Sequence, residues 1–161
     1  MTDERTAVEL VVNGERRAVS VEPRRTLVDV LRSECGLTGT NLGCEQGICG
    51  ACTVLLNGDP VRSCLMYAVQ CRDAEVQTIE GLVSVGAVDE LLEAFSLHHG
   101  LQCGFCTPGF IVLAAGILGR TPDISDQELT EALSSNTCRC TGYYGIVEAV
   151  KRARDAERVP R

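Results

Sequence analysis

Ten of the 161 residues are cysteine, and eight of these fall into two groups whose spacing suits metal. Cys44, Cys49 and Cys52 lie in one glycine-rich loop, GCEQGICGAC, and Cys64 follows after a short apolar run with an Asn57-Gly58 turn. Cys-x4-Cys-x2-Cys with a more distant fourth cysteine is the spacing of a plant-type [2Fe–2S] centre. Iron in such a centre needs four thiolates in two pairs, one pair for each tetrahedral iron. Cys44 with Cys49 and Cys52 with Cys64 are the expected pairs. Gly43, Gly47 and Gly50 suit a backbone that wraps a compact anionic cluster, taking left-handed angles and bringing N–H groups close to sulfur. Such contacts, with solvent exposure, tune the potential, roughly −400 mV being typical of plant-type centres. Four cysteines also make a structural zinc site. Zinc sites usually combine two short-spaced pairs, however, and the solitary Cys64 favours the cluster.

The second group is less specific by spacing alone. Cys103 and Cys106 form a Cys-x2-Cys turn, and Cys138 and Cys140 form a Cys-x-Cys turn. The two turns could converge on one metal centre, either a second cluster or zinc. Cys-x2-Cys also serves redox dithiols, although no β-α-β pattern surrounds it as a thioredoxin-like motif requires.

The elements that must position these thiols are readable in outline. Val8, Leu10 and Val12 alternate, Asn13-Gly14 intervenes, and Val19 and Val21 alternate again, which predicts a β-hairpin with a type I′ turn. Thr26 and Asp29 form a weak capping box for a helix with Leu27, Val30 and Leu31 on its apolar face and Gly36 at its end. After the cysteine loop, Thr53–Leu56, Asn57-Gly58 and Pro60–Arg62 predict a second hairpin, and Glu75–Ile79 a last short strand. Residues 1–82 therefore read as a small mixed sheet gripping one helix, with Val83–Ala87 as a linker. Beyond it the apolar period becomes 3.6. Val88, Leu91, Leu92 and Phe95 mark one helix. Thr107-Pro108, as N-cap and first helical residue, opens a second through Phe110, Ile111, Leu113, Ala114, Ile117 and Leu118. That helix is apolar nearly all round, so it should be the central buried one, with Gly119 capping it. Ser125 and Glu128 form a capping box for a third. A fourth runs from about Tyr144 through Ile146, Val147, Val150 and Ala153, with 157–161 expected to fray. Four helices with short loops imply an α-bundle over about 85–155, within a second domain spanning 83–161.

Bulk properties narrow the function. A net charge of −7 and a pI near 4.8 argue against nucleic-acid binding, which calls for a basic patch. Met1–Leu10 carries charges of both signs and no apolar signal core, and Gly109–Leu118 is far short of the roughly 20 residues that span a bilayer. Thiol-rich and without a membrane span, the chain is expected to be cytoplasmic, where close cysteine spacings more often mean metal than disulfides.

The segments LTGTNLGCEQGICGACTV, GLQCGFCTPGF and NTCRCTGYYGIVEAV resemble those of the small iron–sulfur subunit of molybdenum hydroxylases, the xanthine oxidase family. The resemblance covers essentially the whole chain and matches all eight ligand positions. It implies an α+β architecture, an N-terminal β-grasp plant-type ferredoxin domain followed by a C-terminal four-helix bundle. It implies two [2Fe–2S] clusters, the second held by Cys103, Cys106, Cys138 and Cys140. It also implies that Gln102 and Cys140 contact the molybdopterin cofactor. The expected partners are a large molybdopterin-binding subunit and a medium FAD-binding subunit. The expected function is electron transfer from molybdenum through the second cluster and then the first to FAD, with no catalytic residue in this chain. A free-standing two-cluster ferredoxin is one alternative and a zinc-stabilised interaction module another.

Residues left over have plainer readings. Cys35 and Cys71 lie outside both groups, and buried reduced thiols are common. His98 and His99 close a helix, where a partly positive imidazole suits the dipole. Arg139, between two ligands, could balance cluster charge or meet a partner. Tyr143 and Tyr144 read as packing or interface.

Overall fold

The computed structural model describes residues 5–158. Strands β1 (Thr6–Val12) and β2 (Glu15–Val21) pair antiparallel about Asn13-Gly14. Strands β3 (Thr53–Leu56) and β4 (Asp59–Arg62) pair about Asn57-Gly58. All four turn residues have positive φ, from 52° at Asn13 and Asn57 to 83° at Gly58, as a type I′ turn needs. Strand β5 (Glu75–Gln77) lies between the hairpins, parallel to β1 and antiparallel to β3, and completes a sheet of order β2-β1-β5-β3-β4. Alternate residues Val8, Leu10 and Val12 are buried with Val54 and Val76 against Leu27, Val30 and Leu31 of helix α1 (Leu27–Ser33). Thr26 caps that helix by accepting the Asp29 N–H at 3.3 Å, and Gly36 follows its end at φ +71°.

Helices α2 (Ile79–Ser84), α3 (Asp89–Leu97), α4 (Thr107–Arg120), α5 (Asp126–Leu133) and α6 (Tyr143–Arg158) make up the rest. The described residues thus form a mixed sheet with six helices, an α+β chain. Several expectations shift. The last strand stops at Gln77, and Ile79 opens α2, which occupies the start of the expected linker. Cys106 rather than Thr107 is the N-cap of α4, and the Thr107 hydroxyl is buried without a partner. Gly119 lies inside α4, which ends one residue later. Leu92 points outward on α3, whereas Leu91 is 5% exposed. Helix α6 continues through Arg158, and the tail expected at 159–161 lies outside the described residues, as does the stretch 1–4.

Helix α4 is central, with Phe110, Ile111, Val112, Leu113, Ala114 and Leu118 all buried. It crosses β3 closely. A Cβ on Gly116 would lie 2.9 Å from the Leu55 side chain and 3.1 Å from Pro60, so only a glycine lets helix and hairpin meet there. Strand β3 serves two cores, since Val54 faces the sheet's own core and Leu55 the helical one. Arg120 pairs with Asp59 across the same contact. Arg154, 6% exposed, ties α6 to α5 by donating to the Ile124 carbonyl at 3.0 Å and pairing with Asp126 at 2.8 Å.

The Ser125–Glu128 capping box is formed in full: Ser125 Oγ accepts the Glu128 N–H at 3.3 Å, and Glu128 Oε2 accepts the Ser125 N–H at 3.1 Å. Ser125→Ala is expected to cost about 1 kcal/mol, read as a lower urea midpoint at unchanged m-value. No change in midpoint would mean that α5 is held by packing alone.

Candidate metal centres

The first cysteine loop is hung between α1 and α4. Arg32 Nη1 donates to the Thr38 and Thr40 carbonyls at 2.6 and 2.9 Å, and Asn41 Nδ2 donates to the Phe105 carbonyl at 2.8 Å. Within the loop, Glu45, Gly47 and Gly50 take left-handed angles. Gly43 does not, and its contribution is closeness: a Cβ there would lie 3.2 Å from Cys49 Sγ. Cys52 and Cys64 are buried beside Val28, and the Ser63 hydroxyl locks their segments by donating to the Cys52 carbonyl at 2.6 Å.

The four thiols gather two by two. Cys44 and Cys49 interact through their thiols, as do Cys52 and Cys64, and Cys64 also feels Cys44. Backbone N–H groups of Cys49 and Gln46 donate to Cys44 Sγ at 3.3 and 3.4 Å and hold that thiol down to about 6. Burial, with the neighbouring Cys52, pushes Cys64 up to about 11, partly countered by the Gly47 N–H.

The second group shows the same plan on other elements. Cys103 pairs with Cys140, and Cys106 at the N-cap of α4 pairs with Cys138. Each pair draws one thiol from each turn, so the two turns do converge. Backbone donation from Phe105 lowers the Cys103 thiol, while burial and Cys138 push Cys106 up to about 12. The Gly142 N–H donates to Cys138 Sγ at 3.3 Å, and the Cys138 N–H donates to the Tyr143 hydroxyl at 3.0 Å. Gln102 is exposed beside the site, its Nε2 donating to the Cys140 carbonyl at 3.1 Å.

Among the described residues, no three His, Cys, Asp or Glu side chains close on one point as ligands of a single ion do. Two thiols per pair, with N–H groups aimed at sulfur, fit the donor set of a two-iron cluster. The titration pattern has a direct consequence. In the cluster-free protein at pH 7, iodoacetamide is expected to label Cys44 and Cys103 first and Cys64, Cys71 and Cys106 last, because the thiolate is the reactive form. Peptide mass spectrometry reads the order, and uniform labelling would contradict it.

Cys35 and Cys71 lie outside both quartets. Cys71 is buried in the sheet core with Cys35 packed against it, and burial raises both thiols. Arg139 is exposed. His98 and His99 follow α3, and their carbonyls press on Gly145, where a Cβ would lie 2.7 Å from the His98 oxygen. Sequence reasoning missed Asn136 and Thr137, which join the two cysteine loops. A polar residue in a turn gives no local signal of such a contact.

Comparison with known proteins finds iron–sulfur relatives along the chain. Residues 10–82 match the family model described as a 2Fe-2S iron-sulfur cluster binding domain, and residues 78–151 match a [2Fe-2S] binding domain. The chain is 52% identical over 147 residues to the nicotine 6-hydroxylase small subunit of Paenarthrobacter nicotinovorans, covering 91% of this chain and 88% of that protein. It is 45% identical over 146 residues to the nicotinate dehydrogenase small FeS subunit of Eubacterium barkeri, covering 91% and 93%. The crystal structure of quinoline 2-oxidoreductase from Pseudomonas putida 86 superposes with a TM-score of 0.88 at 45% identity, covering 96% of both chains. In the aldehyde oxidoreductase of Desulfovibrio desulfuricans the same fold, at 42% identity and a TM-score of 0.86, accounts for 17% of a longer chain. Among the described residues, no helix is long and apolar enough to cross a membrane.

Proposed function

The chain belongs to the iron–sulfur small subunits of the xanthine oxidase family of molybdenum hydroxylases, and from that premise we propose that it relays electrons between two partner subunits through two [2Fe–2S] clusters. Cys44, Cys49, Cys52 and Cys64 hold the first cluster in a β-grasp domain. Cys103, Cys106, Cys138 and Cys140 hold the second in a four-helix bundle. A [2Fe–2S] cluster, when bound, takes up and gives up one electron at a time. The chain's own residues do the rest. Paired thiolates supply two ligands per iron, Gly43, Gly47 and Gly50 let backbone approach sulfur, and N–H groups of Gln46, Cys49 and Gly142 offset thiolate charge.

The second site faces the large, molybdopterin-bearing subunit in this reading. Gln102, held on the Cys140 carbonyl, stands where a side-chain amide can meet the pterin, and Cys140 joins that contact to the cluster. The first site faces FAD in the medium subunit. Relatives named for nicotine and nicotinate match in sequence, and solved structures named for quinoline and aldehydes share this fold, so substrate choice belongs to the large subunit. Ten cysteines with no disulfide among them suit the reducing cytoplasm.

The observation that carries the proposal is the two-by-two grouping of eight thiols at two adjoining sites. A subunit role, rather than a free-standing ferredoxin, is favoured by apolar side chains left uncovered at both sites. Ile48 and Leu65 are 66% and 60% exposed at the first, and Leu101, Phe105 and Tyr144 are 48%, 49% and 81% exposed around the second. Purification of the chain from its source should bring down a molybdopterin-bearing and an FAD-bearing protein. Isolation alone, with both clusters intact, would instead establish the free-standing ferredoxin.

A further inference from the structure

The two cysteine loops meet at a single seam. The Thr137 N–H donates to the Cys49 carbonyl at 2.9 Å. Thr137 directly precedes Cys138, so a continuous route joins the Cys49 and Cys138 sulfurs through covalent bonds and one hydrogen bond. No gap through space interrupts it.

Two neighbouring contacts hold that bond in place. Asn136, 1% exposed, donates from Nδ2 to the Gly50 carbonyl at 3.3 Å. Its carboxamide lies so close to Gly50 that a Cβ there would be 2.0 Å from Oδ1. Behind it, Gly109 at the start of α4 closes on the same peptide, where its own Cβ would be 2.4 Å from the Gly50 oxygen. Outside that pair, Arg62 from β4 donates to the Ser135 carbonyl at 2.9 Å and braces the docking of the second hairpin. Asn136 Oδ1 is buried without a partner, a cost that an apolar residue would avoid. What the amide offers in return is the grip of Nδ2 on the Gly50 carbonyl.

We infer that Asn136 is a positioning residue for electron transfer between the two cysteine quartets. It pins the turn before Cys138 to Gly50, so that the Thr137 N–H stays on the Cys49 carbonyl and provides the through-bond link. The inference rests on the reading that each quartet holds a [2Fe–2S] cluster. The step moves one electron and no proton. The site of Cys103, Cys106, Cys138 and Cys140 loses one ferrous equivalent, the site of Cys44, Cys49, Cys52 and Cys64 gains one, and no covalent bond forms or breaks.

The test uses the cluster-loaded protein, reduced by a pulse of a photogenerated one-electron donor and freeze-quenched at intervals. Paramagnetic resonance reads which site holds the electron. Asn136→Ala and Thr137→Pro, the latter lacking the donor, should keep both signals yet redistribute the electron severalfold more slowly. The splitting from coupling between the two reduced sites should shrink in both. Arg62→Met, which loosens the seam without touching the bond, should redistribute as the unaltered protein does. Should Thr137→Pro fail to fold, hydrogen exchange over 135–137 in Asn136→Ala takes its place and should quicken alongside the slowed transfer. Unchanged redistribution in Asn136→Ala or Thr137→Pro with both signals present would overturn the inference while leaving the cluster reading intact. Equal slowing in Arg62→Met would overturn it too, as an effect of domain docking alone. Absence of two signals from the unaltered protein would instead remove the cluster reading itself.

Discussion

Cys106→Ser is expected to leave the reduced protein with one paramagnetic signal in place of two and to cut its iron from about four to about two atoms per chain. Cys106 caps α4 and pairs with Cys138, which is 6% exposed. Burial pushes the free Cys106 thiol up to about 12, so its thiolate is unfavourable there without iron to compensate it, and a serine hydroxyl is still harder to ionise. The first quartet draws its thiols from 44–64 and should keep its iron. In the proposed complex the same change should stop electrons entering at molybdenum from reaching FAD. Survival of both signals would show the ligand assignment of the second quartet to be wrong.

Gly50→Ala is expected to be the most damaging of the small substitutions. Gly50 has φ +72°, a conformation that costs an L-residue roughly 1–2 kcal/mol. The added methyl would also meet the Asn136 carboxamide at 2.0 Å, and overpacking of a filled interior costs about 1–3 kcal/mol. Gly58 has φ +83° with nothing within 4 Å of its Cβ position, so Gly58→Ala should pay only the first cost. Urea unfolding of the two variants separates the terms. Equal destabilisation would mean that the seam yields to the methyl and that the contact with Asn136 is loose.

How much of this could be read in advance follows from how local each cause is. The two Asn-Gly turns and the Ser125–Glu128 box are set by neighbouring residues, and both were legible. The pairs Cys44–Cys49 and Cys52–Cys64 also follow from spacing, because one loop and one hairpin fix them. The extent of α2 was not legible: six residues containing Gly81 carry little helical signal, and it is packing that places them. The shift of the α4 cap from Thr107 to Cys106 and the continuation past Gly119 reflect tertiary contacts of a helix buried nearly all round. The crosswise pairs Cys103–Cys140 and Cys106–Cys138 needed two distant turns to meet. Asn136 has meaning only against Gly50, 86 positions away.

Metal and sulfide analysis of the purified protein, together with resonance spectra after reduction, tests the central claim most directly. About four iron atoms and about four acid-labile sulfides per chain, with two distinguishable paramagnetic signals, are the expected result. Zinc in place of iron, with no labile sulfide and no signal on reduction, would contradict it.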